Sequence, residues 1–192
     1  MEKFILFDGT NTDSFTSLDG SPATWKVEDG IMTVVSGNIR SKLEFGDAHI
    51  HVEWREPDMP WAKGQSKGNS GVYIQGCYEL QVLDSYGIAE PHNDDCGGIY
   101  QKYAPLVNAS LAPLEWQTYD IYFRAARYND KGEMVEAARA TIIQNGLMIQ
   151  NNIILHHSTP GGITDHPVAI GPLMLQDHGD PVSFRNIYIE KY

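Results

Sequence analysis

Over residues 69–85 the chain reads as one long strand with two surfaces. Successive side chains of a strand point to opposite faces, so Val72, Ile74, Tyr78, Leu80 and Val82 make an apolar row, and Tyr73, Gln75, Glu79 and Gln81 make a polar row behind it. The same period recurs over residues 49–55, with Ile50, Val52 and Trp54 facing inward and His49, His51, Glu53 and Arg55 outward, and again over residues 119–124. Tight-turn dipeptides join other apolar runs. Asp29-Gly30 separates residues 25–28 from 31–35, and Asn145-Gly146 separates residues 140–144 from 147–149. Both dipeptides suit turns whose twist matches paired strands, so each pair of runs is predicted to be a hairpin. Residues 171–176 read as a strand, 177–181 as a turn and 182–192 as the return strand. No helical periodicity extends over about 10 residues, and the nearest approach, residues 133–139, is short. Many short strands with closely spaced turns predict an all-β sandwich or jelly roll, as one domain over residues 1–192.

Two connections are long, residues 56–68 before the two-faced stretch and residues 85–113 after it. Loops beyond about 12–15 residues are uncommon inside compact domains and are often functional. Because both flank the same stretch, they are expected to wall its polar face into a cleft. A carboxylate, two amides and a tyrosine in line can hydrogen-bond the many hydroxyls of a sugar, and Glu79 can also move a proton. The competing reading is the solvated outer face of an antiparallel sheet.

Charge narrows the partners. With 14 Lys and Arg against 25 Asp and Glu, a formal charge of -11 opposes phosphate backbones and anionic lipid, which argues against nucleic acid and membrane surfaces. No window approaches the about 18 consecutive apolar residues of a spanning helix. Residues 1–8 lack the apolar run and small-residue cleavage site of a secretory leader. The expected location is the cytoplasm for the chain as it stands, or the periplasm or exterior if a leader has been removed. Cys77 in the polar row and Cys96 in a loop, with no CxxC pair, read as free thiols. None of these patterns encodes an oligomeric state.

A set of motifs in order carries a resemblance. Leu6-Phe7-Asp8-Gly9-Thr10, Asn69-Ser70-Gly71-Val72-Tyr73 leading into Tyr78-Glu79-Leu80-Gln81-Val82-Leu83-Asp84-Ser85, Glu115-Trp116-Gln117-Thr118-Tyr119, Gln144-Asn145-Gly146, Gly171-Pro172-Leu173-Met174-Leu175-Gln176-Asp177-His178-Gly179 and Phe184-Arg185-Asn186-Ile187 cover nearly the whole chain. Together they resemble the 3-keto-disaccharide hydrolase family. The resemblance implies a concanavalin A-like β-sandwich of two curved antiparallel sheets, a bacterial source, and cleavage of glycosides whose sugar is oxidised at carbon 3. A ketone there makes the carbon 2 proton acidic and places the aglycone on carbon 1 for elimination, after which hydration gives net hydrolysis. The alternative is a carbohydrate-binding module of the same fold, in which Glu79 accepts hydrogen bonds without passing protons.

Candidate roles follow from position. Glu79, in mid-strand on the polar face, is the first choice for acid or base, unless it pairs with Arg55 or His51 of a neighbouring strand. Asp84, opposite in parity unless a bulge re-aims it, is a second catalytic candidate or a loop cap. His178 is a third, in a segment that is also good turn chemistry. Asn69, Tyr73, Gln75 and Gln81 are expected to bind sugar hydroxyls, as is Gln176 beside the turn. Arg185 is expected to hold an enolate or pair with an acid, and Lys102 to close the cleft. Trp61, between Pro57 and Pro60, is the stacking candidate, whereas Trp25, Trp54 and Trp116 are expected in the core. No cofactor is required by this chemistry. A divalent metal at His156-His157 stays an option that needs a carboxylate partner.

Overall fold

A computed structural model describes residues 2–192, so Met1 of the stretch read for a leader lies outside the described residues. The chain forms two stacked antiparallel sheets. The larger has eight strands: β1 (Glu2–Phe7), β3 (Lys26–Glu28), β4 (Ile31–Thr33), β6 (Ala48–Arg55), β9 (Gln117–Arg124), β12 (Ala138–Gln144), β13 (Leu147–Leu155) and β15 (Ser183–Lys191). The smaller has five: β2 (Phe15–Ser17), β5 (Ile39–Phe45), β7 (Ser70–Ile74), β8 (Tyr78–Val82) and β14 (Gly171–Leu175). A short ribbon pairs β10 (Arg127–Tyr128) with β11 (Met134–Glu136). The large sheet runs β13-β12-β9-β6-β15-β4-β3 with β1 also on β15, and the small sheet runs β2-β5-β14-β7-β8.

Alternation determines which faces meet. In β6 every second residue is buried, and Ile50, Val52 and Trp54 point inward as the pattern requires. They meet Val72, Ile74, Tyr78, Leu80 and Val82 of the small sheet in one apolar core. Trp54 stacks on Tyr119 with ring centroids 3.9 Å apart, and the Tyr78 ring lies 6.0 Å from Phe123 across the inter-sheet space. Both dipeptide hairpins form, with φ of 51° and 78° at Asp29 and Gly30 and of 50° and 81° at Asn145 and Gly146.

Three expectations need correction. Residues 69–85 are a hairpin, β7 to β8, rather than one strand. Gln75 and Gly76, at φ 54° and 62°, reverse the chain, a conformation that glycine reaches without Cβ strain. Ile74 pairs with Tyr78 and Tyr73 with Glu79, so the connection holds an odd number of residues and the paired members of both rows stay on their assigned faces, while Gln75 and Cys77, in the turn, leave the polar row, and Cys77 joins the apolar core. The segment over residues 171–192 is no hairpin either, because β14 belongs to the small sheet and β15 to the large one. Residues 177–182 therefore cross from sheet to sheet. Finally, Trp116 is half-buried on the outer face of the large sheet, with the guanidinium carbons of Arg185 and Arg55 4.1 Å and 4.8 Å from its ring centroid, while Trp25 and Trp54 are core residues as expected. Residues 134–136 and 138–144 are strand, and the helical content is a single 3-10 turn at Gly64–Ser66 among the described residues. Among those residues no helix is long and apolar enough to cross a membrane.

Ile121 is fully buried at the centre of the large sheet, so Ile121→Ala is expected to lower unfolding free energy by about 2–5 kcal/mol, through lost transfer energy and a residual cavity. Urea denaturation monitored by tryptophan fluorescence measures it, and a loss below about 1 kcal/mol contradicts close packing there.

Candidate active site

The polar face of the β7–β8 hairpin is not solvated. Tyr73, Glu79 and Gln81 are all buried, although Tyr73 stands apart from the inter-sheet core. Three long connections cover that face. From residues 85–113, the Tyr100 amide donates to the Glu79 carbonyl at 3.1 Å and the Gly97 amide to the Gln81 carbonyl at 3.1 Å. From residues 156–170, Thr159 Oγ1 accepts the Glu79 amide at 2.8 Å. From residues 56–68 comes Gln65, whose Oε1 accepts from Gln81 Nε2 at 3.0 Å.

These segments leave a cavity of about 140 Å³ lined by Gln65, Asn69, Tyr73, Glu79, Gln81, Tyr100, Pro160, Gly161, Gln176 and His178. Tyr73 and Glu79 face each other across the ladder because they are register partners. Space for the carboxyl comes from Gly71, since a Cβ at that position would stand 2.6 Å from Glu79 Oε1. No lysine or arginine lines the cavity. Burial therefore acts on Glu79 without a cation to offset it and pushes its carboxyl up to about 7, with the Tyr73 hydroxyl pulling partly back. The Tyr73 hydroxyl donates to the Pro160 carbonyl at 2.9 Å and accepts from Gln176 Nε2 at 3.2 Å, and burial holds its pKa above the ordinary phenol range.

The amides are arranged in one sense. Asn69 Nδ2 donates to the Gln65 carbonyl at 2.7 Å, and the nitrogens of Gln81 and Gln176 are committed to Gln65 and Tyr73. Their oxygens, Asn69 Oδ1, Gln81 Oε1 and Gln176 Oε1, are buried with no protein donor. Three orphaned acceptors beside a carboxyl make a cavity suited to a ligand rich in hydroxyl donors.

Six expected site residues thus line this cavity: Glu79, His178, Asn69, Tyr73, Gln81 and Gln176. Glu79 pairs with neither Arg55 nor His51; those stand on the other sheet. Five expected residues lie elsewhere. The Gln75 side chain, redirected by the turn, is buried and donates to the carbonyls of Phe45 at 2.8 Å and Ala169 at 3.2 Å. Asp84 is buried in an ion pair with Lys67 at 2.7 Å, so it fastens the end of the 56–68 loop. Arg185 is on β15, bonded to Glu53 at 2.5 Å. Trp61 is 75% exposed and lines no part of the cavity. Lys102 lines the adjoining hollows. The His156 and His157 rings are 6.3 Å apart and exposed. Among the described residues, no group of three or more His, Cys, Asp and Glu is placed to hold a metal ion. Cys77 and Cys96 are buried and unpaired. Tyr100, beside Lys102 in the loop expected to close the cleft, lines it; Gln65, Pro160 and Gly161 were not singled out as site residues, and only Gln65 lies in a connection whose length drew attention.

A family model described as the 3-keto-alpha-glucoside-1,2-lyase-like domain matches residues 4–190. The chain belongs to this family. Among solved structures, a candidate glycosyl hydrolase from Parabacteroides distasonis is 38% identical, with a TM-score of 0.91 over 99% of this chain and 84% of that one. The fold also resembles carbohydrate-binding module CBM66 from Bacillus subtilis, 11% identical with a TM-score of 0.53 over 92% of this chain and 96% of that one. A prokaryotic β-1,3-1,4-glucanase from a mouse hindgut metagenome shares the fold at 11% identity and a TM-score of 0.51, over 100% of this chain and 99% of that one. A search of curated proteins returned no match. Family membership supports a carbohydrate-acting role for the protein.

The elevated carboxyl has a consequence for stability. In the unfolded chain Glu79 titrates near 4.5 and in the folded chain near 7, so between those values the folded state binds the extra proton and stability falls as pH rises. Glu79→Gln removes that dependence. Relative to wild type, the variant is expected to gain about 1–3 kcal/mol between about pH 5 and about pH 8. Denaturant melts at both pH values measure it, and a difference that does not grow with pH contradicts a desolvated carboxyl.

Proposed function

We propose that the protein cleaves the glycosidic bond of 3-keto-glycosides by elimination followed by hydration, with Glu79 as the base. The observation that carries this reading is a buried carboxyl without a cation in a cavity of about 140 Å³ whose lining also holds three amides with orphaned, buried oxygens. The amide oxygens accept sugar hydroxyls and hold the ring. Glu79 takes the proton from carbon 2, and the electron pair moves onto the carbon 3 ketone as an enolate. Collapse of the enolate restores the ketone, forms the carbon 1–carbon 2 double bond and expels the aglycone oxygen from carbon 1. His178, at the rim, supplies the proton that this oxygen needs. Addition of water across the double bond then gives the free keto sugar. Near neutral pH the balance between carboxyl and carboxylate at Glu79 matches a base that must both accept and return a proton.

Glu79→Gln keeps shape and hydrogen-bonding capacity but cannot accept the proton. Its kcat on a 3-keto-glucoside is expected to fall about 10²–10⁴-fold while binding persists. Wild-type kcat/KM should rise with pH through an apparent pKa near 7, because the free enzyme must be deprotonated. Retained turnover in the variant removes Glu79 as the base, whereas wild-type protein that binds the glycoside without cleaving it, with affinity kept in the variant, favours the carbohydrate-binding module, with the acidic side chain as a hydrogen-bond acceptor only. In deuterated water the elimination route places deuterium at carbon 2 of the product. Product with hydrogen alone at carbon 2 favours direct displacement with two carboxylates and removes the elimination step.

A further inference from the structure

Elimination gathers negative charge on the oxygen at carbon 3 as the carbon 2 proton leaves, and one donor aimed at such an oxygen is worth about 10²–10³ in rate. No lysine or arginine lines the Glu79 cavity to serve there. Most of its side-chain donors are already committed. Gln65 Nε2 donates to the Asp94 carbonyl at 2.8 Å, Asn69 Nδ2 to the Gln65 carbonyl, Gln81 Nε2 to Gln65 Oε1 and Gln176 Nε2 to the Tyr73 oxygen, while the Tyr73 hydroxyl donates to the Pro160 carbonyl. The Tyr100 hydroxyl and the His178 ring, by contrast, have no protein partner among the described residues. His178 is exposed at the rim, whereas Tyr100 is half-buried.

Sheet register places Tyr100. The segment after Cys96 adds a rung to the outer edge of β8: Leu80 bridges Ile99, the Gln81 amide donates to the Gly98 carbonyl at 2.9 Å, and the Tyr100 amide donates to the Glu79 carbonyl at 3.1 Å. With Leu80 opposite Ile99 in the antiparallel sense, the next pair is Glu79 with Tyr100. Ile99 is fully buried in the inter-sheet core, so alternation sends Tyr100 to the other face, the one that carries Glu79. On the opposite side of β8, Tyr73 is also a register partner of Glu79. The carboxyl is therefore flanked by a phenol on each neighbouring segment, at the about 4.5–5.5 Å Cβ spacing of cross-strand pairs. Burial first, then Glu79 and last Tyr100 hold the Tyr73 pKa up, which puts the two phenols within electrostatic reach of each other. The chain beyond Tyr100 is fixed as well. Gln101 holds φ 58°, uncommon away from glycine, with its amide on the Asn93 carbonyl at 3.0 Å, and the Lys102 and Tyr103 amides donate to the Ile99 carbonyl at 2.8 Å and 3.0 Å.

We propose that Tyr100 is a catalytic residue of this site, whose hydroxyl donates to the oxygen on carbon 3 and stabilises the enolate. The inference rests on the elimination reading of the Glu79 cavity. Carbons 2 and 3 are bonded neighbours, so the base for the proton on one and the donor for the oxygen on the other must stand side by side, as a cross-strand pair does. The carbon 2 proton goes to Glu79, the electron pair moves onto the carbon 3 oxygen and returns to expel the aglycone, and the phenol keeps its own proton throughout. Tyr73 does not share this role, because its proton is spent on the Pro160 carbonyl and its oxygen accepts from Gln176. The two tyrosines thus differ in function although register treats them alike.

Tyr100→Phe removes one oxygen and keeps the ring. On a 3-keto-glucoside its kcat is expected to fall about 10²–10³-fold with KM changed by less than about threefold, because the donor acts on charge that the ground state lacks. With substrate deuterated at carbon 2, the primary isotope effect on kcat should be at least as large as in wild type, since proton abstraction is the step that weakens. A fall of less than about tenfold, a loss carried by KM, or an isotope effect that shrinks overturns the proposal. A urea melt establishes that the variant folds. If it does not, 3-fluorotyrosine in place of Tyr100 decides: this stronger donor of nearly the same shape should raise the single-turnover rate near neutral pH, and an unchanged or lower rate overturns the proposal. Failure of the underlying reading looks different, because wild-type protein then releases no aglycone, or in deuterated water gives product with hydrogen alone at carbon 2.

Discussion

A carboxyl buried with no cation beside it is the constraint on which this molecule's arrangement depends. Burial of a charge costs several kcal/mol unless it is paired, and a group in that position either finds a partner or moves its titration. Glu79 does the second. The small sheet leaves room for it by placing glycine at position 71, and three long connections then close over it. Nothing in the packing requires an acid there, since a leucine on that face would be buried at no electrostatic cost. Stability given up at one position beside orphaned acceptors is the signature of a site shaped for a ligand rather than for the fold.

Sheet register converts this constraint into geometry. Tyr73 lies opposite Glu79 on β8, and on the other side of β7 the pairing of Met174 with Tyr73 carries Gln176 alongside Gly71. The Gln176 amide donates to the Gly71 carbonyl at 3.0 Å, and Ser70 Oγ donates to the Gln176 carbonyl at 2.7 Å. The chain then leaves the small sheet for the large one. In that crossing Asp180 accepts the Asn69 amide at 2.8 Å, so the segment bearing His178 is tied to the strand that bears Tyr73. Three neighbouring strands and one crossover thus set the cavity wall to wall, and only the loop side of it can vary without disturbing the sandwich.

The period-2 pattern made the sandwich legible, because one-sided burial forces alternation and alternation survives in the sequence. The same pattern put Tyr73, Glu79 and Gln81 on a common face, correctly, even though the hairpin between them was read as continuous strand. Gln-Gly at 75–76 is a weaker turn signal than Asn-Gly, and an odd connection leaves no parity break to notice. Gln75 was misplaced for the same reason, since the turn rather than the strand aims its side chain. Asp84 and Arg185 were each left with two readings, and the structure shows the structural one, a loop cap and an acid's partner; partner choice is a tertiary fact, because Lys67 and Glu53 are distant in sequence and could not be matched to them. Loop contributors such as Gln65 and Gly161 carry no periodicity at all; the length of its loop announced Gln65, and nothing announced Gly161.

Glu56 shows why the raised carboxyl alone does not identify the site. It too is buried, and its pKa is also pushed up to about 7, chiefly by desolvation. Yet Trp54 Nε1 donates to one of its oxygens at 3.0 Å and Gln117 Nε2 to the other at 2.7 Å, which leaves no orphaned acceptor. It lines neither the Glu79 cavity nor the two adjoining hollows. Its role is positional: a Cβ at Gly68 would stand 2.9 Å from the Glu56 Cβ, and the Leu114 amide donates to the Glu56 carbonyl at 3.1 Å, so both long loops close against it. Two acids with like titration therefore divide by what surrounds their oxygens. Where every lone pair is met the acid braces the loops, and where a carboxyl shares a hollow with unmet amide oxygens, the chemistry of a substrate is the remaining partner.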